Sequence, residues 1–163
     1  VEEQFVPYYG MTDTEIANKF GLKETKAKSK FWLLTKAILG IKKDKIEEFE
    51  KAGITVKTIR LNKNSKLKEN MSFPTIRYKE IVNEDWEDSD FYNTLSNKFF
   101  FVVYQQTTDG SYRLRSAFFW NMPNKDLEEA QRLWLDTKIW TKLQRLDGGS
   151  RWQHAEEILF LAQ

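Results

Sequence analysis

Six consecutive apolar residues, Phe99-Phe100-Phe101-Val102-Val103-Tyr104, constrain the fold of this chain more than any other feature. Side chains alternate between the two faces of a strand, so an unbroken apolar run leaves neither face for water. A strand of this kind sits in the middle of a sheet with both sides covered. Thr108-Asp109-Gly110-Ser111 is a hairpin signal, and Tyr112 to Trp120 is the predicted return strand. A third strand is predicted over Ile54-Thr55-Val56-Lys57-Thr58-Ile59-Arg60-Leu61, which is rich in β-branched residues and alternates. Pro74 bars a further central strand around it.

Helices account for much of the remainder. Thr12-Asp13-Thr14-Glu15 has the spacing of a capping box, in which the Thr hydroxyl and the Glu carboxylate each satisfy a backbone donor. It predicts a short helix from Asp13 to Phe20, stopped by Gly21. Residues 23–30 are a basic helical entry to the apolar helix Phe31–Leu39, which Gly40 ends. Ile46 to Lys51 is a short acidic stretch. Tyr78 to Leu95 is expected to be helical in pieces around Trp86. A long helix is predicted from Lys125 to about Arg145, ended by Gly148-Gly149. The first 11 residues are expected to form an extended lead-in. Helices placed between strands in this order predict an α/β domain, a small mixed β-sheet flanked by helices. The expectation is a single domain over residues 1–163.

Composition removes several kinds of chemistry. With no cysteine and one histidine, the chain has no disulfide, no thiolate nucleophile and no His-rich metal site. A Ser-His-Asp triad would have to use His154, which has no partner in view. No apolar run approaches the ~20 residues of a membrane span, and Val1-Glu2-Glu3-Gln4 does not begin a signal peptide. A cytoplasmic protein with no membrane partner is expected. A start at Val suggests a piece of something longer.

The net charge is only +2, but charge is locally segregated. Between positions 57 and 79 lie Lys57, Arg60, Lys63, Lys66, Lys68, Arg77 and Lys79, opposed by Glu69 alone. Glu80, Glu84, Asp85, Glu87, Asp88 and Asp90 follow with no intervening base. A strand and loop with that basic content can track a phosphate backbone. The plainer alternative is a solvated loop paired with an acidic neighbour.

One stretch carries a catalytic pattern. Metal-dependent nucleases of one large fold use an acid, followed by acid-x-Lys on a strand, where alternation puts the second acid and the Lys on one face. The carboxylates hold Mg²⁺ and the Lys helps to position the attacking water. Here Glu48 precedes Thr55-x-Lys57, so a hydroxyl stands in the place of the second acid. Threonine is a poor Mg²⁺ ligand without carboxylate help.

Residues 47–61, Glu-Glu-Phe-Glu-Lys-Ala-Gly-Ile-Thr-Val-Lys-Thr-Ile-Arg-Leu, resemble the core motif of MutH and the Sau-type GATC-cutting restriction endonucleases. Met71-Ser72-Phe73-Pro74 and Glu84-Asp85-Trp86-Glu87-Asp88-Ser89 are similar to the next two signatures of the Sau-type enzymes. Phe99–Tyr104 is similar to the central strand that follows, and Leu133-Trp134-Leu135-Asp136-Thr137 to a late helix. The resemblance spans about residues 5–138 and implies a MutH-like restriction-endonuclease fold. The lead-in, Phe5-Val6-Pro7-Tyr8-Tyr9 and then Thr14-Glu15-Ile16, fits the second, C-terminal domain of the Sau-type enzymes better than the catalytic one. A His-Val-Arg-Pro-like family segment is not found in residues 144–163, so a C-terminal family segment is expected to be absent.

Carried over by position, Glu48 stands where active members have the first metal-binding Asp, Thr55 where they have Glu, and Lys57 where they have Lys. Active members also carry a Glu on the preceding helix, and Phe31 to Leu39 offers none. The resemblance therefore implies a catalytically degenerate domain with no intact catalytic set and no metal of its own, Mg²⁺ belonging to the parent enzyme. It implies binding of double-stranded DNA at GATC-like sites as an effector for cleavage by an N-terminal catalytic nuclease domain, with homodimerisation as a further expectation. Lys57, Arg60, Lys63, Lys66, Lys68, Arg77 and Lys79 are the expected DNA-binding residues. Two rivals stay open: an active Mg²⁺-dependent endonuclease using Glu48 and Lys57, and a structural dimerisation module.

Overall fold

The computed structural model describes residues 1–22, 29–41, 49, 51–69 and 77–146, with the backbone alone at 78, 79, 145 and 146. The chain divides into two compact units, Val1–Ser72 with Asn97–Asn121, and Phe73–Ser96 with Met122–Gln163. Each is considered by itself.

The first unit is built on a three-stranded mixed sheet of β1 (Ile54–Leu61), β2 (Lys98–Gln106) and β3 (Tyr112–Trp120), in the order β1-β2-β3. β1 runs parallel to β2, and β3 antiparallel to it. The apolar run occupies the central strand as expected, with Phe99 through Tyr104 all buried. Phe100, Val102 and Tyr104 face one side. There they pack with Phe5, Ile16, Phe31, Leu34, Ile38 and Leu39 from the N-terminal turns, α1 (Asp13–Lys19) and α2 (Lys30–Leu39). Phe31 lies between the rings of Tyr104 and Tyr112, with centroids 4.8 and 5.0 Å away. Fully burying such a side chain stabilises the fold by roughly 1.5–3 kcal/mol.

Local chemistry explains the helix ends. The Glu15 amide donates to Thr12 Oγ1 at 3.1 Å, and the Thr12 amide donates to Glu15 Oε2 at 2.7 Å. The Thr12 amide, and after it the Thr12 hydroxyl donating to the same Oε2 at 2.9 Å, hold the Glu15 carboxyl below the ordinary carboxylate range. Gly40 closes α2 in the left-handed conformation, φ 60°, which a residue without Cβ adopts at no steric cost. Lys30 and the buried Asp13 form an ion pair at 2.8 Å that ties α2 to α1. The apolar face of α2 is core.

The lead-in departs from the extended expectation. It forms two 3-10 turns, Glu2–Gln4 and Val6–Tyr8, around the fully buried Phe5. It then lies along the outer edge of β3. The Gly10 amide donates to Leu114 O at 2.8 Å, and the Leu114 amide to Met11 O at 3.0 Å. The Ala117 amide donates to the Tyr9 hydroxyl at 3.2 Å, and the Phe119 amide to Glu2 Oε1 at 2.9 Å. An edge strand must satisfy its outward backbone groups, and that demand is invisible in the local sequence of residues 1–11.

The second unit contains α3 (Tyr78–Ile81), α4 (Asp90–Ser96) and α5 (Asn124–Leu146). Its core is Ile81, Trp86, Leu95 and Trp134, with the two indoles edge to face at 5.7 Å. Both tryptophans are thus core residues. The interrupted helical reading of 78–95 and the long helix after Met122 match the expectations to within a residue or two. Among the described residues, no helix is long and apolar enough to cross a membrane.

Candidate functional site

Strand alternation sorts the β1 residues. Ile54 and Val56 pack on the main core, and Arg60 lies over the Phe31 ring at 5.4 Å, so the even positions face α1 and α2. Thr55 and Lys57 therefore share the opposite face, in register with the buried Phe99 and Phe101 of β2. The strand presents the hydroxyl-x-Lys pair on one side, as the acid-x-Lys geometry demands. Both residues are half-buried.

Glu48 lies outside the described residues, as do Met71-Ser72-Phe73-Pro74, residues 23–28, Gly148-Gly149, His154 and the side chain of Lys79. Among the described residues, no three acidic or imidazole side chains come together as a metal-binding group. The donor offered at position 55 is a neutral hydroxyl, which does not fit a Mg²⁺ site. That cation is held by carboxylates and waters.

β1 runs into a tight turn. The Ser65 amide donates to Asn62 O at 2.9 Å, and the Asn62 amide to Lys66 O at 2.8 Å. Asn62 Oδ1 accepts from the amides of Asn64 and Lys66 at 2.9 and 3.0 Å, an Asx arrangement that substitutes a side chain for backbone. Leu61 and Leu67 bridge below it, and the Lys68 amide returns to Arg60 O at 2.9 Å. Ser65 adopts φ 60°, a conformation usually left to Gly, Asn or Asp.

The basic residues divide by what they touch. Arg60 is 21% exposed, pairs with Glu69 and stacks on Phe31. Lys68 donates to the Tyr112 hydroxyl at 2.5 Å and lies 5.2 Å from that ring's centroid. Arg77, in the other unit, pairs with Glu80 at 3.2 Å. Lys63 and Lys66 project from the turn into solvent, and neither forms an ion pair among the described residues.

Three residues that sequence reasoning passed over meet at this turn: Ser65, Gln105 and Arg115. Arg115 Nη1 donates to Gln105 Oε1 at 2.6 Å and to Ser65 Oγ at 3.3 Å. Gln105 Nε2 donates to Ser65 Oγ at 2.9 Å and to Asn62 O at 3.4 Å. Arg115 falls at a register shift, with Val103 opposite Ser116 and Tyr104 opposite Leu114. An extra residue of this kind re-aims side chains. No spacing rule marks Arg115, which is 50 positions from Ser65. At the far end of the ribbon, Asp109 accepts from the hydroxyls of Thr107 and Ser111 and from the Ser111 amide. Those bonds, the Thr107 hydroxyl first, hold its carboxyl down to about 2, and the carboxylate is committed to closing the hairpin.

Two comparisons bear on this geometry. The MutH family model, described as the DNA mismatch repair enzyme MutH, matches residues 39–133, which span all three strands. The type II restriction enzyme Sau3AI of Staphylococcus aureus is 33% identical over 153 residues. That alignment takes in 84% of this chain but 31% of the enzyme, so the chain spans about a third of that relative.

Proposed function

Since the chain belongs to the MutH family, we propose that it is a double-stranded DNA-binding domain of a type II restriction endonuclease and has lost catalysis itself. The observation that carries this reading is the face of β1. Lys57 is kept in register with Phe101, while Thr55 occupies the neighbouring position on that face where the resemblance implies an acid. A hydroxyl cannot supply the charge that draws Mg²⁺ to a scissile phosphate. The strand, its turn and its positive side chains suit a surface laid against DNA.

In this reading the chain contributes DNA affinity, and cleavage belongs to another domain of the parent enzyme. It corresponds to the C-terminal domain of the Sau-type enzymes, binding a GATC-like site as an effector. Its coverage of a third of the relative is consistent with a partner domain in the same polypeptide. Lys63 and Lys66 are proposed as phosphate contacts because they extend from a turn already held by its own hydrogen bonds. Lys57 is proposed to stand at the remnant site; Arg77 and Lys79 belong to the other unit and are proposed as DNA contacts of that unit by itself. Arg60 and Lys68 brace β1 and β3.

Duplex binding by the purified chain, followed by fluorescence anisotropy with and without Mg²⁺, tests the proposal. The expected result is salt-dependent binding of a GATC duplex with the DNA left intact. Cleavage that Lys57→Ala abolishes would establish the active-nuclease alternative, and absence of binding at low salt would favour the dimerisation module.

A further inference from the structure

The turn after β1 and the bulge in β3 meet at a single arginine, and its partners are unusual for a cation. Arg115 is exposed, and its two hydrogen-bond partners, Gln105 Oε1 and Ser65 Oγ, are neutral. Among the described residues it forms no ion pair. Arg113, two residues earlier, donates instead to Gly10 O of the lead-in at 2.7 Å. A guanidinium has five donors in a planar fork. Neutral acceptors that engage one nitrogen orient the fork without cancelling its charge. The charge therefore lies, unpaired with any described carboxylate, beside the turn carrying Lys63 and Lys66.

A bracing role alone does not account for this arrangement. Gln105 already reaches Ser65 Oγ and Asn62 O by itself, and the Asn62 side chain closes the turn independently. Ser65 is held in the left-handed region, and its hydroxyl is thereby offered to both Gln105 and Arg115. Position 115 is also the residue that the register shift adds to β3. The fold places a pre-oriented, uncompensated fork next to two exposed lysines.

We propose that Arg115 is a DNA-backbone contact, its guanidinium set by Gln105 and Ser65 to take a phosphate oxygen of the same strand that Lys63 and Lys66 approach. The proposal rests on the DNA-binding reading above and extends it to a strand outside the basic 57–79 segment. Planar recognition by the fork suits a phosphate, which accepts two parallel N–H bonds.

The test uses the whole chain with GATC and scrambled duplexes of equal length, titrated from 50 to 200 mM salt. Removing one phosphate contact lowers the slope of log affinity against log salt by about 0.9, so Arg115→Gln should lose about 3.5-fold less affinity across that range than the unaltered chain. The weakening at low salt should be equal for the two duplexes, and thermal unfolding should show the variant folded. Arg115→Lys keeps the charge but cannot reproduce the fork, and it should restore the slope. A purely bracing arginine would not be rescued in this way. Binding by the unaltered chain with an unchanged slope in Arg115→Gln overturns the inference and leaves the DNA-binding reading standing. Weakening confined to the GATC duplex also overturns it, since that would mean base-edge reading. No binding by the unaltered chain to either duplex overturns both.

Discussion

Raising the pH should destabilise this protein through Tyr104. Its side chain is fully buried on the central strand, packed 4.8 Å from the Phe31 ring, with its hydroxyl 3.3 Å from Thr35 Oγ1. Burial pushes the phenol up to about 12, against a smaller opposing effect of the Thr35 bond. Below pH ~10, the ordinary tyrosine value, folded and unfolded states both keep the proton. Above it the unfolded chain sheds the proton and the folded chain holds it, so stability falls until the pH passes the folded value. Two units correspond to a loss of ~2.7 kcal/mol. Tyr104→Phe removes that dependence at the cost of one long hydrogen bond, about 0.5–1.5 kcal/mol near neutrality. The Phe variant should thus be the less stable protein at pH 7 and the more stable one at pH 12, with the curves crossing between pH ~10 and ~11. Urea unfolding of both proteins at intervals from pH 7 to 11.5 measures the difference, in which the other tyrosines and the lysines cancel. Parallel curves would refute the reasoning, because they would mean that the phenolate finds solvent or a cation without unfolding.

Other outcomes separate the basic residues and the acidic ones. Lys63→Gln with Lys66→Gln should lower the salt slope of duplex binding by about 1.8 with little change in stability. Arg60→Leu should cost about 1 kcal/mol of stability by removing the stacking on Phe31 and leave the slope alone; a slope lower by one would return Arg60 to the DNA surface. Asp109→Asn should remove an acid-sensitive contribution. With its carboxyl held at about 2, that contribution is present above pH ~4 and disappears as pH falls through the folded value, and acid titration of unfolding compares the two proteins. Calorimetry with Mg²⁺ should find at most millimolar binding, whereas a tight stoichiometric site removed by Glu48→Ala would reinstate a working metal centre.

Sequence alone was enough for elements whose signals are local. β1 and β3 begin and end where alternation and the Thr108–Ser111 turn place them, because period-2 patterning and turn residues act over a few positions. The Thr12–Glu15 box caps α1 as spaced, since both partners lie within one helical turn. The family itself was legible in the likeness of residues 47–61 to its motif.

Tertiary structure decided what the basic residues are free to do. Arg60 and Lys57 belong to one strand, yet one side chain is drawn onto Phe31 and Glu69 while the other shares a face with Thr55. Lys68 is taken up by Tyr112, 44 positions away, and Ser65 meets Arg115 across 50. The 3-10 turns of the lead-in answer to the open edge of β3, not to their own residues. Each of these outcomes depends on sheet register and on which backbone groups remain unsatisfied after the strands pair. Those quantities exist only once distant segments are in contact, so charge counted along the chain could locate the positive segment but not the side chains it leaves available.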